Sequence, residues 1–243
     1  MRSSRLFTPQ ALVPGNELDL EPEASHYLLR VLRLPLGAAL LLFNGDGREY
    51  PAELTAAGKK QARVRVLEAR DTATESPLHT TLALGLSRGE RMDYAIQKST
   101  ELGVSRVVPL FTDYSEVKLD EERAEKRLAH WRQVAISACE QCGRVVPPRI
   151  EAPRKLEDWL QADPGGLKLV CDLRQESQLP AAAPTQGVVL LIGPEGGLSD
   201  AEISRARAAG YQGLALGPRV LRTETAPVAA LSLLQYLWGD LAR

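Results

Sequence analysis

The chain has 243 residues, 44% hydrophobic and 25% charged, with a formal net charge of −1. That length supports one large domain or two modest ones around a substantial core, and the charge balance excludes a uniformly basic nucleic-acid binder, although a local basic face remains compatible with RNA. No apolar run is long enough to span a bilayer and "MRSSRLFTPQ" lacks the apolar stretch of a secretory leader, so a cytoplasmic protein without membrane contact is expected.

Residues 1–70 read as a small β-rich unit. "LLRVLRL" (28–34) carries Arg30 and Arg33. Asn44-Gly45-Asp46-Gly47 between two apolar runs is a hairpin signal. Gly58-Lys59-Lys60 suggests a second turn, and "QARVRVLEA" alternates with period two at Ala62, Val64 and Val66, as a half-buried strand does. Short strands joined by tight turns predict a small barrel. Arg63 and Arg65 extend its basic character, which serves either a solvated face or RNA. The polar "DTATESP" (71–77) reads as a linker.

From Leu78 strands alternate with helices. "HTTLALGLS" is a strand, and "RMDYAIQKSTELG" a helix stopped by Gly103. "VSRVVPLF" is a strand, and a helix follows from Glu121 to Cys142 with an apolar stripe at Ala124, Leu128, Trp131, Ala135, Ala138 and Cys142. Cys139 and Cys142 form one CxxC pair on that helix. With Cys171 the only other cysteine and the three histidines scattered, neither a disulfide framework nor a metal site is expected. "LKLVCDL" and "GVVLLIG" are strands. "LSDAEISRARAAG" is a helix with Ser199 as N-cap, Glu202 completing a capping box and Gly210 at its end. "GLALGP" is a strand, and a final apolar helix has Pro227 in its first turn, with Thr223 or Thr225 as candidate caps. The alternation predicts a largely parallel α/β sheet covered on both faces.

Two strands end alike, in Ile192-Gly193-Pro194 and Leu216-Gly217-Pro218, with one helix between them. A right-handed crossover makes them parallel, expected as neighbours, so both turns lie at the carboxyl edge where open α/β sheets bind ligands. Cys171-Asp172-Leu173 is a third loop for that edge. The turns match neither a P-loop nor a dinucleotide fingerprint. Pro194 and Pro218 lack the N–H donors of a phosphate cradle, and Glu195 repels phosphate. Either the glycines serve only as turns, or the ligand is neutral or cationic, such as the adenosine and sulfonium of S-adenosylmethionine. Arg219, Arg222, Thr223, Glu224 and Thr225 crowd the second loop, as functional loops do.

"LLIGPEGGLSDAEI" and "LGPRVLRTETA" resemble the signature segments of the RsmE family of SPOUT-class methyltransferases, which methylate N3 of a uridine in 16S ribosomal RNA. "HYLLRVLR" (26–33), "SRGERMDYAIQKSTELGV" (87–104), "VKLD" (117–120) and "ACEQCGR" (138–144) also resemble it, in order along nearly the whole chain. The resemblance implies a PUA-like RNA-binding β-barrel over residues 1–72. It also implies a SPOUT-type domain with a trefoil-knotted parallel sheet over 73–243, acting as a homodimer. It places S-adenosylmethionine against Leu173, Ile192, Gly193, Pro194, Glu195, Gly196, Gly197, Leu216, Gly217, Leu221, Thr223 and Ala226.

Methyl transfer to N3 requires that its proton leave and that the resulting anion be stabilised. A cation near O2 or O4 does the second, with Arg222 and Lys98 as candidates. Glu195 or Glu224 is a candidate base, or else an arginine partner. The Watson–Crick edge must be unpaired or flipped out. Arg30, Arg33, Lys59 and Lys60 on the barrel, with Arg88 and Arg144 nearer the pocket, are expected to hold RNA backbone, with the small ribosomal subunit as the partner. Ribose 2′-O-methylation and a non-catalytic RNA-binding or ribosome-assembly role are the alternatives.

Overall fold

A computed structural model of the chain describes residues 4–58, 61–117, 120–172 and 179–242. The chain divides into two compact units, Met1–Glu75 with Cys139–Pro147, and Ser76–Ala138 with Pro148–Arg243.

The first unit is a six-stranded sheet: β1 (Ser4–Phe7), β2 (Glu17–Asp19), β3 (Ala39–Phe43), β4 (Arg48–Ala57), β5 (Ala62–Val66) and β6 (Arg70–Asp71). The strand order is β1-β3-β4-β5-β2, with β6 against β4. Only β1 and β3 pair in parallel. The helix α1 (Pro22–His26) runs into a π-helical turn at Tyr27–Val31. The expected hairpin forms between β3 and β4. Asn44 Oδ1 accepts from the Asp46 N–H, and Asp46 accepts from the Arg48 N–H and the Tyr50 hydroxyl, so the turn residues supply the partners that a tight loop needs. In β5, Ala62, Val64 and Val66 are buried while Arg63 and Arg65 face outward, the period-two alternation of a one-sided strand.

The linker expected over residues 71–77 is not free. Asp71 lies in β6 and pairs with Arg48. Glu75 accepts two hydrogen bonds from the Arg144 guanidinium, at 3.0 and 2.7 Å, and one each from the N–H groups of Val145 and Val146. That carboxylate therefore staples residues 144–146 into the first unit.

The second unit carries β7 (Thr80–Gly85), α2 (Glu90–Glu101), β8 (Arg106–Phe111), α3 (Glu121–Cys142, whose last residues cluster with the first unit), β9 (Arg149–Ile150) and β10 (Arg154–Lys155). There follow α4 (Leu156–Gln161), β11 (Leu167–Cys171), β12 (Val188–Ile192), α5 (Asp200–Ala208), β13 (Gln212–Leu214) and α6 (Thr225–Trp238). The sheet is wholly parallel, in the order β10-β8-β7-β12-β11-β13, with β9 beside β8. Both faces are buried, as parallel sheets require. Leu82, Leu84, Leu190 and Ile192 pack with Met92 and Ile96 of α2 and Leu231 and Leu234 of α6. The intervening Ala83, Val189 and Leu191 pack on the other face with Trp159 of α4 and Ile203 and Ala206 of α5. Each fully buried Leu or Ile contributes about 1.5–3 kcal/mol, so the period-two division of β7 and β12 between two layers holds the sheet in register.

Three expectations are corrected. The strands β12 and β13 are not neighbours, because β11 lies between them and pairs with both. The last strand ends at Leu214, leaving Leu216-Gly217-Pro218 in the loop. Neither threonine caps α6: Glu224 holds the N-cap position without a side-chain bond, and the Thr223 hydroxyl is used elsewhere. The α5 capping box forms as expected, with Ser199 accepting from the Glu202 N–H and Glu202 from the Ser199 N–H. Among the described residues no helix is long and apolar enough to cross a membrane.

Candidate functional site

Because β11, β12 and β13 run parallel, their carboxyl ends share one edge. A cavity of about 670 Å³ opens there, within the range of small-molecule sites. Cys171 and Asp172 line it from β11, and Ile192 through Leu198 from β12. Leu214, Leu216 and Val220 through Glu224 line it from the loop after β13, and Ala226 from α6.

The first Gly-Pro turn is closed by the Gly197 N–H donating to the Pro194 carbonyl at 2.9 Å. It is packed so tightly that Gly193 admits no side chain. A Cβ on Gly193 would lie 2.6 Å from the Gly197 carbonyl carbon, and one on Gly85, at the end of β7, 2.5 Å from Pro194. Thr223 then joins the two loops. Its hydroxyl donates to the Gly193 carbonyl at 3.1 Å and meets the Ser87 hydroxyl at 3.2 Å. Both hydroxyl residues are buried, Thr223 at 7% and Ser87 at 6% exposure. One hydroxyl thus fastens the end of β7 and both cavity loops, which are far apart in sequence.

Glu195 is answered by the protein. Its carboxylate accepts from the Arg88 N–H at 3.0 Å and from Arg91 Nη1 at 2.8 Å. Burial pushes its pKa up, but the bonds from Arg91 and from backbone N–H groups outweigh that and hold it below the ordinary value of 4.5. Arg91 is correspondingly raised, chiefly by its bond to Glu195. Glu224 lies across from them: its Oε2 is 4.0 Å from Arg91 Nε, and that oxygen is buried without a hydrogen-bond partner. Arg222 is exposed and has no ion-pair partner among the described residues. Asp172 is bonded by Arg207 at 2.9 Å. Cys171 is an inert apolar wall, since burial pushes its thiol up to about 12.

Of the residues expected to hold the cofactor, Ile192, Gly193, Pro194, Glu195, Gly196, Gly197, Leu216, Leu221, Thr223 and Ala226 line this cavity. Gly217 lies in the same loop without lining it, and Leu173 falls outside the described residues. Of the catalytic candidates, Glu195, Arg222 and Glu224 come together at the cavity. Lys98 does not: it pairs with Glu101 at 2.7 Å and sits seven residues beyond Arg91, about 10 Å further along α2. Arg88 is exposed and pairs with Glu116 at 2.8 Å. Arg144 is buried in its bonds to Glu75, with its side chain 7% exposed, and presents no free head for a phosphate. Arg30 and Arg33 lie exposed on the first unit, and Lys59 and Lys60 fall outside the described residues. Arg63 and Arg65 are taken by Asp19 and Glu17 across the β5–β2 pair. Sequence reasoning missed Arg91 as a lining residue, whereas Asp172 belongs to the third loop expected at this edge. Glu195 gave the signal for Arg91, since a carboxylate in a tight turn needs a partner. No group of three or more His, Cys, Asp or Glu side chains placed to hold a metal occurs among the described residues.

The cavity suits a ligand with an adenosine group and positive charge. The glycines and apolar side chains of the two loops line it, and the carboxylates of Glu195 and Glu224 among its lining residues disfavour phosphate. The chain matches the family model of the RNA methyltransferase domain over residues 74–235 and that of the RNA methyltransferase PUA domain over 20–67. It is 33% identical to ribosomal RNA small subunit methyltransferase E of Buchnera aphidicola subsp. Schizaphis graminum, covering 99% of each chain. With the Bacillus subtilis protein of the same name it is 31% identical, over 95% of this chain and 94% of that one. Among solved structures, ribosomal RNA small subunit methyltransferase E from Neisseria gonorrhoeae, bound to S-adenosyl methionine, is 37% identical with a TM-score of 0.91. That match covers 99% of this chain and 100% of the other. A Legionella pneumophila chain solved in complex with the bound cofactor SAM is 42% identical with a TM-score of 0.95 over the same shares. By the length and identity of these matches, the chain belongs to the ribosomal RNA small subunit methyltransferase E family.

Proposed function

We propose that this protein transfers a methyl group from S-adenosylmethionine to N3 of one uridine in 16S ribosomal RNA, acting on the small ribosomal subunit in the cytoplasm. The observation that carries the reading is the cavity at the carboxyl ends of β11, β12 and β13, whose two Gly-Pro loops are fastened together by Thr223. S-adenosylmethionine, when bound, supplies a sulfonium methyl group open to attack by a nucleophile. The residues of 193–197, 216–226 and 171–172 would hold it through backbone groups and apolar walls.

The remaining work falls to side chains at the mouth. N3 of uracil is a weak acid, far less acidic than a carboxylic acid at about 4.3, so removal of its proton needs both an acceptor and a cation for the anion. Glu195 is held by Arg91 and Arg88 and serves to position the turn. Glu224, which lines the cavity with its side chain partly exposed, is the proton acceptor. Arg222, exposed at the rim, approaches the base or its phosphate.

In this reading residues 1–72 form the RNA-holding barrel and residues 73–243 the catalytic domain, whose loops pass through one another as a trefoil knot. The insertion of β11 between β12 and β13, and the near-contact of Gly85 with Pro194, support the knot. The exposed Tyr236, Leu237 and Leu241 on and after α6 support a homodimer, since clustered exposed apolar groups mark interfaces. Arg30 and Arg33 hold RNA backbone.

The test is incubation with labelled S-adenosylmethionine and unmodified small subunits, followed by mass spectrometry of the nucleosides. N3-methyluridine at one position is expected. A ribose-methylated nucleoside would overturn the reaction while keeping the cofactor, and absence of both transfer and cofactor binding would favour a non-catalytic assembly factor.

A further inference from the structure

We propose that Arg91 is a catalytic residue: its guanidinium bonds an exocyclic oxygen of the target uracil and stabilises the negative charge that forms there when N3 loses its proton. The proposal rests on the N3-methyltransferase reading above.

Donor accounting points to a ligand. A guanidinium has five N–H donors. Arg91 makes one hydrogen bond among the described residues, from Nη1 to Glu195. Its Nε lies 4.0 Å from Glu224 Oε2, beyond hydrogen-bonding distance. The side chain lines the cavity and is 43% exposed, so the remaining donors face a space that a base entering from solution can reach. Beside them sits the carboxylate of Glu224, which lines the cavity with its side chain 20% exposed. A donor next to an acceptor matches the uracil edge, where a carbonyl oxygen flanks the N3–H.

The electrostatics of the corner favour a group that becomes negative over one that arrives negative. Two carboxylates, Glu195 and Glu224, flank Arg91. A resident anion, such as the cofactor's carboxylate, would meet a guanidinium already neutralised and two like charges. A neutral carbonyl meets little of that repulsion in the ground state, and as its charge grows Glu224 takes up the N3 proton and loses its own charge, so the hydrogen bond from Arg91 strengthens in the transition state, which is the differential binding that accelerates a reaction. Arg91 is also fixed in place by Glu195, whereas Arg222 has no ion-pair partner among the described residues to hold it. Preorganised donors stabilise developing charge without paying reorganisation at the moment of reaction.

The N3 proton passes to Glu224, which releases it to solvent after methyl transfer. The N3 lone pair then forms the bond to the methyl carbon, and the S–C pair returns to sulfur, leaving a thioether. Arg91 stays protonated throughout and donates only hydrogen bonds.

The test compares wild type, Arg91→Gln, Arg91→Ala and Glu195→Gln on small subunits. Single-turnover rates are measured from neutral to alkaline pH, and the Kd for S-adenosylmethionine by calorimetry. The wild-type product is identified first, so a product other than N3-methyluridine overturns the underlying reading and this proposal with it. With N3-methyluridine formed, both Arg91 variants are expected to lose about 100-fold in rate at neutral pH, with Kd within about twofold of wild type, since the proposed contact is to the base. The deficit should shrink as alkaline pH ionises N3 without help. Glu195→Gln should lose less, and equally at every pH. A weakened Kd with the rate kept would make Arg91 a cofactor ligand. A deficit that is constant with pH, or matched by Glu195→Gln, would make it a structural partner of the turn. An unchanged rate would leave it no role, and each of these three results overturns the proposal.

Discussion

The substitution Thr223→Val removes one hydroxyl while keeping the side-chain shape, and so isolates what fastens the two cavity loops. Thr223 makes two contacts, with the Gly193 carbonyl at 3.1 Å and the Ser87 hydroxyl at 3.2 Å. Ser87 keeps an alternative acceptor in the Gly85 carbonyl at 3.3 Å, so the variant orphans chiefly the Gly193 carbonyl. A buried polar group left unmade costs about 1–3 kcal/mol. The variant has two ways to bear that cost. It can keep the turn closed and lose stability, or let the turn open to water and lose cofactor affinity, because binding must close it again. The two losses should sum to about 2 kcal/mol. Carried wholly by stability, this lowers Tm by about 4–8 °C for a protein of this size. Carried wholly by affinity, it raises the Kd for S-adenosylmethionine about 30-fold. Differential scanning fluorimetry of the unliganded protein and calorimetric titration measure the two shares. Thr223→Ser, which keeps the hydroxyl, should stay near wild type in both. Unchanged Tm and Kd in Thr223→Val would refute the argument. So would equal damage in Thr223→Ser, which would trace the effect to the methyl group.

Three further outcomes follow from the same geometry. Arg144→Met should destabilise the first unit by about 3 kcal/mol, the low end for a broken buried pair because Glu75 is partly exposed; a melt detects it, and cofactor affinity should not change. Ser199→Ala should cost about 1 kcal/mol through loss of the α5 cap, read from urea unfolding. Glu195 has its carboxyl held below 4.5 by Arg91 and backbone N–H groups. A lowered folded pKa contributes stability that is fully present above the ordinary value and is lost as pH falls through the folded one. Stability read from thermal melts should therefore be insensitive to this group above about pH 5 and fall on further acidification, with a flatter acid limb in Glu195→Gln.

Local chemistry was legible in the sequence wherever neighbours along the chain supply it. The capping box of α5 needs only Ser199 and Glu202, and the β3–β4 hairpin only Asn44 through Gly47. Most residues of the two Gly-Pro loops that were expected to hold a cofactor do line the cavity, because parallel strands must end on one edge. What could not be read depends on partners far along the chain. The order of β12, β11 and β13 is set by a pairing that the crossover rule leaves open. Thr223 sits where a helix cap is expected, yet its hydroxyl turns to a carbonyl 30 residues earlier. Arg144 looked like a phosphate ligand in isolation, and its carboxylate is 69 residues away. Lys98 shares α2 with Arg91 but lies about two turns further along it and does not line the cavity.

The same long-range pairing bears on how a nearly neutral protein can select one site in a large RNA. Arg48, Arg63, Arg65 and Arg70 of the first unit each pair with a carboxylate on the same sheet or its flanking turn. Such exposed pairs add little stability, but they remove positive charge from the strand surface. Arg33 has no acidic partner among the described residues and lies on the segment after the π-helical turn. Under the proposed reading few counterions are released on binding, so affinity for arbitrary RNA is weak and falls only gently with salt, each phosphate contact to single-stranded RNA adding about −0.7 to the log–log slope. A polyanion held so lightly is not captured by charge alone. Discrimination then falls to shape and to the cavity mouth, where Glu195 and Glu224 repel a phosphate but Glu224 and Arg91 together match a neutral base edge. The acidic residues that make the chain a poor general RNA binder are, in this account, what makes its pocket selective for a base over the backbone that carries it.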